Sequence, residues 1–152
     1  MPVIFSNDTS LVPEEYKDLF FSRTQNADVP GFDKTAMDAV LDHLQPDISS
    51  ELFSPFNSKQ PHKGLPPTYI SVDGMDPLRD DGLIYERVLK DNGVKTRLDV
   101  WPGVPHAHYA FFPMLEISKK ALVDTYDGVA WLLGKDVSVE KIKEVMVAPS
   151  SG

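Results

Sequence analysis

One pattern constrains the fold of this chain more than any other. A run rich in β-branched and aromatic residues, Thr68-Tyr69-Ile70-Ser71-Val72, precedes a helical stretch from Leu78 to Asn92, and a second extended run follows from Lys95 to Trp101. Such side chains favour a pleated, half-buried strand, and Gly93 suits the left-handed position just past a helix end. A helical crossover between two strands is what a parallel pair requires, so the segment reads as a βαβ unit and the chain as α/β. Leu115 to Leu133 predicts a long helix with Leu122, Tyr126, Val129 and Leu133 on one face, stopped by Gly134. Ser138 predicts the cap of a last helix that lines up Val139, Ile142 and Met146.

The first half is less regular. Val3–Phe5 is a short strand candidate, Glu14–Leu19 a helical turn, and Asp33 the cap of a helix placing Met37, Val40, Leu41 and Leu44 at helical spacing until Pro46. Residues 48–67 and 102–113 read as loops. The expected architecture is a small, mostly parallel sheet of about three strands flanked by helices. Residues 1–134 form the expected main domain, and residues 135–152 a helical extension and tail.

Composition narrows the function classes. At 152 residues the chain suits one domain with a real core. It has no cysteine, which removes disulfides, thiolate nucleophiles and Cys-ligated metals from its chemistry. Its formal charge of −8 opposes binding to nucleic acid or to an anionic membrane surface, since both need a positive field. No apolar stretch approaches the ~18 residues of a membrane span, and the N-terminal stretch lacks the basic start of a signal peptide. The expected location is cytoplasmic.

In parallel α/β sheets, sites form beyond the carboxyl ends of the strands. Asp76 follows the strand ending at Val72, and His106 follows the strand ending at Trp101. If the strands share a sheet, both side chains leave the same edge. A carboxylate on one imidazole N–H would then fix the ring's tautomer and leave the other nitrogen as a base. Each residue also has a plainer reading. Asp76 before Pro77 is a good helix cap, and most loop histidines are simply solvated. His108 makes a His-x-His pair with His106, but no convincing third ligand lies nearby, so a structural role outranks metal binding. His108, Tyr109 and Phe111 are candidates to line a substrate pocket, or to pack loop against core. No cofactor is expected.

Three motifs carry a family resemblance: Gly64-Leu65-Pro66-Pro67-Thr68-Tyr69, Gly74-Met75-Asp76-Pro77-Leu78-Arg79-Asp80-Asp81-Gly82, and Trp101-Pro102-Gly103-Val104-Pro105-His106. Together they resemble the C-terminal half of hormone-sensitive-lipase-like carboxylesterases, the arylacetamide deacetylase-like α/β-hydrolases. The resemblance implies a truncated α/β-hydrolase with Asp76 as the acid and His106 as the base of a catalytic triad. It extends loosely over most of the chain, through Asn26-Ala27-Asp28 and Ser54-Pro55, and ends near Leu133.

The departures shape the functional expectation. Such enzymes use a serine in a G-x-S-x-G turn and an H-G-G-G oxyanion loop; neither occurs in these 152 residues. Where the family has glycine and an aromatic after the histidine, this chain has Ala107 and His108. A bare Asp–His pair is a feeble esterase. Three readings follow: the Asp–His part of a carboxylesterase; a half-domain using the pair as general acid/base for elimination, isomerisation or cyclisation of a small apolar molecule; or a non-catalytic assembly module. A half-width sheet would expose a strand edge and apolar surface, so a homodimer through Val3–Phe5, the tail helix or both is expected.

Overall fold

The computed structural model describes residues 9–59 and 62–147. They group into two compact units, one ending at His106 and the other beginning at Ala107. The strand expected at Val3–Phe5 lies outside the described residues.

The first unit is built on the βαβ segment. β1 (Thr68–Asp73) and β2 (Thr96–Trp101) pair in parallel, from Thr68 opposite Thr96 to Asp73 opposite Trp101. Among the described residues these two strands form the sheet. Between them runs the crossover helix, Arg79–Asp91. It is numbered α3, after α1 (Ser22–Gln25) and α2 (Lys34–Leu44). Its C-terminal carbonyls are closed by Gly93 at φ 76°, a conformation that favours glycine.

Helix α3 is covered on two sides. Leu89, fully buried, packs with Ile70, Val72 and Val94 on the sheet side. Ile84 and Val88 pack instead with Val12 and Tyr16 from the N-terminal segment, backed by Phe20, Phe56 and Tyr85. Each fully buried aliphatic side chain contributes about 1.5–3 kcal/mol. The sheet, α3 and the N-terminal segment thus form three layers.

Helix α2 begins as expected, with Asp33 Oδ1 accepting from Ala36 N at 2.7 Å. It ends at Gln45 in a left-handed conformation directly before Pro46. Its apolar line is only partly used: Met37 is buried, whereas Val40 and Leu44 are exposed.

The second unit holds α4 (His108–Phe111), α5 (Glu116–Leu132) and α6 (Val139–Val147). The loop expected over 102–113 therefore contains a helical turn. Four residues are too few to show a period, and the turn closes by Ala110 N donating to Ala107 O at 2.8 Å. Helix α5 is rotated from the expected face. It buries Ser118, Ala121, Val123, Gly128 and Ala130, while Tyr126, Val129 and Leu133 are exposed. The expected face was drawn from large side chains, but most residues turned inward are small. In α6, Ser138 Oγ accepts from Lys141 N at 3.2 Å and Ile142 is buried. No helix among the described residues is long and apolar enough to cross a membrane.

Candidate active site

The carboxyl ends of β1 and β2 lead into two turns joined by backbone hydrogen bonds. Gly74 N donates to Trp101 O at 2.8 Å, and Met75 N to Val104 O at 3.0 Å. The approach is close enough to demand glycine at position 74. A Cβ there would stand 3.0 Å from Gly103 N and 3.1 Å from Pro102 Cα, both backbone atoms. Gly103, at φ 71°, turns the second loop so that Val104 is buried and the chain continues to His106.

Asp76 is 2% exposed, and its two carboxylate oxygens have separate partners. Oδ1 accepts from Leu78 N at 2.8 Å, closing the turn before α3. Oδ2 lies 2.7 Å from His106 Nδ1. The pairing geometry of Asp76 is present, but the capping reading is corrected: α3 starts later, with Leu78 at the cap position and no side-chain cap, and Oδ1 of Asp76 instead closes the turn that precedes the helix. An ionised carboxylate only accepts, so Nδ1 carries the proton and Nε2 is the ring atom able to take another. The His106 side chain is 27% exposed, against 3% for Asp76. Phe32 lies across the imidazole, with ring centroids 4.8 Å apart and planes tilted by 37°.

The acidic residues after Asp76 are structural. Asp80 Oδ2 accepts from Phe21 N at 2.8 Å and Ser22 N at 2.6 Å, at the start of α1. Asp81 forms a buried pair with Arg23, at 2.9 and 3.1 Å. Ser22 Oγ donates to Pro77 O at 2.7 Å, and the Arg23 guanidinium also bonds that carbonyl. Asn26 Nδ2 bonds Asp76 O and Gly74 O. Sequence reasoning names Asn26 only as part of the family resemblance, with no role at this site, and misses Arg23 and Phe32. A four-residue helix and a lone loop aromatic leave no periodic trace.

His108, Tyr109 and Phe111 lie together on α4. His108 is fully buried, its ring 5.8 Å from that of Tyr109 and its carbonyl accepting from Ser118 Oγ at 3.4 Å. Tyr109 and Phe111 are exposed. Among the described residues no group of three or more His, Asp or Glu side chains is placed to hold a metal ion.

Residues 10–110 match the α/β-hydrolase fold family. The chain belongs to that family. It is 40% identical over 120 residues to the AB hydrolase superfamily protein B1A11.02 of Schizosaccharomyces pombe, covering 79% of this chain and 35% of that protein. It is 33% identical over 125 residues to the versiconal hemiacetal acetate esterase of Dothistroma septosporum, covering 82% of this chain and 38% of that one. Among solved structures it is similar to vibralactone cyclase, with a TM-score of 0.77 and 34% identity over 84% of this chain and 37% of that one. The family is esterase-like, and the chain spans a little over a third of the length of these relatives.

Proposed function

We propose that this chain supplies the acid–base part of a carboxylic-ester hydrolase acting on small apolar esters. The supporting observation is the 2.7 Å contact between His106 Nδ1 and the buried carboxylate of Asp76. In this reading His106 Nε2 takes the proton of a hydroxyl nucleophile as the hydroxyl oxygen bonds to the ester carbonyl carbon. Asp76 stabilises the imidazolium, which then protonates the departing alkoxide. Water completes the cycle by the same route. The G-x-S-x-G and H-G-G-G motifs do not occur in these 152 residues, so in this reading the nucleophile and the oxyanion donors come from elsewhere.

A graft tests the reading. Residues 10–134 replace the matching segment of the Dothistroma esterase, and hydrolysis of short acyl esters is measured. The expected result is turnover that falls at least about 10³-fold in His106→Ala. A folded graft whose turnover survives that change refutes it.

The likeness to vibralactone cyclase supports a second reading, in which the pair moves protons in a cyclisation of a small apolar molecule. Mass spectrometry separates the two, because hydrolysis adds the mass of water and cyclisation without hydrolysis does not.

A further inference from the structure

The turn that carries Asp76 does not hold its shape by its own bonds alone. Asn26, 6% exposed at the end of α1, donates from one Nδ2 to Asp76 O at 2.9 Å and to Gly74 O at 3.2 Å. Helix α1 reaches the next carbonyl too, through Ser22 and Arg23 on Pro77 O. Carbonyls 74, 76 and 77 therefore all accept from α1 or the residue that caps it, while carbonyls 74 and 76 each also accept from Arg79. Because Oδ1 of Asp76 is held on Leu78 N, the carboxylate has little freedom of its own. Where Oδ2 sits relative to His106 follows the backbone of this turn.

We propose that Asn26 is a positioning residue that sets the Asp76–His106 hydrogen bond by clamping the carbonyls on either side of Met75. This rests on the acid–base reading above. A side-chain amide suits the task because its NH₂ has two protons to donate, whereas an aspartate of the same shape has none. Ser22 holds the same helix but touches neither of the two carbonyls that Asn26 bridges.

The test reads the hydrogen bond directly. In the ¹⁵N-labelled 152-residue chain, the His106 ring N–H is expected to give a downfield proton resonance, assigned by its loss in Asp76→Asn. Asn26→Asp is expected to shift or abolish that resonance at temperatures where circular dichroism shows the chain folded. Ser22→Ala is expected to lower the melting temperature and leave the resonance in place. Should Asn26→Asp fail to fold, Asn26→Ala, which brings no charge against the carbonyls, carries the same expectation. An unchanged resonance in a folded Asn26 variant overturns the proposal. So does unfolding of both variants, which would assign Asn26 to the fold alone. If the unsubstituted chain shows no such resonance, the acid–base reading itself fails, a result distinct from either.

Discussion

The Arg23–Asp81 pair offers the sharpest test of how α1 is held. Arg23 and Asp81 side chains are 9% and 0% exposed, with contacts of 2.9 and 3.1 Å between guanidinium and carboxylate. Asp81→Asn keeps the shape and removes the charge, leaving a buried guanidinium without its counter-charge. Breaking a buried pair this way costs about 3–5 kcal/mol, whereas replacing both partners by apolar residues is often close to neutral. The Arg23 guanidinium also bonds Pro77 O, but that carbonyl keeps Ser22 Oγ at 2.7 Å, so the double change leaves this acceptor occupied. Urea unfolding should be followed in a Trp131→Phe background, where the buried Trp101, bonded to Ser71 Oγ at 3.1 Å, reports on the first unit. With a urea slope of about 2 kcal/mol/M, a loss of about 4 kcal/mol moves the midpoint by about 2 M. Arg23→Met with Asp81→Leu should recover most of that shift, giving strongly non-additive energies in the double-mutant cycle. A loss under about 1 kcal/mol for Asp81→Asn, or simple additivity, refutes the claim that this pair is desolvated and mutually dependent.

Three further outcomes follow from features already described. Gly74→Ala must push the two site turns apart, since its Cβ would meet Gly103 N at 3.0 Å; an expected loss of about 1–3 kcal/mol in urea unfolding checks this. Burial between Phe56 and Tyr85 lowers the His62 pKa below its ordinary 6.5. The unfolded chain then binds more protons, so this stability is present above pH 6.5 and is lost as the pH falls through the folded-state value; His62→Asn should flatten that slope in pH-dependent unfolding. The homodimer expected from the sequence should appear in sedimentation equilibrium at micromolar concentration as twice 17.0 kDa, and a monomer there counts against it.

The parts of the fold legible in the sequence were those with a period or a terminal signal. β1, β2 and α3 appeared within a residue or two of their places because strand composition and Gly93 mark them. Asp33 was legible as a cap because one side chain on one backbone N–H is a local event. Asp76 and His106 could be brought together because their order after two parallel strands fixes which edge they leave. Long-range polar packing was not legible. Asp80 and Asp81 look like ordinary acids in a helix first turn, and only tertiary contact with residues 21–23 makes them buried anchors. The face of α5 was misread because large apolar residues suggested the buried side, while mostly small ones occupy it.

Acid and base stand 30 positions apart, on two turns of one contiguous βαβ segment, and the crossover between them is mostly helix. Closing so short a loop costs little chain entropy, so residues 68–106 bring both groups to one edge of the sheet within a single stretch of chain. Asn26 lies upstream of that stretch. A recombination breakpoint between residues 26 and 68 would carry the pair across intact and leave its clamp behind. The new host would then hold the right two side chains around a turn with nothing gripping its carbonyls from α1.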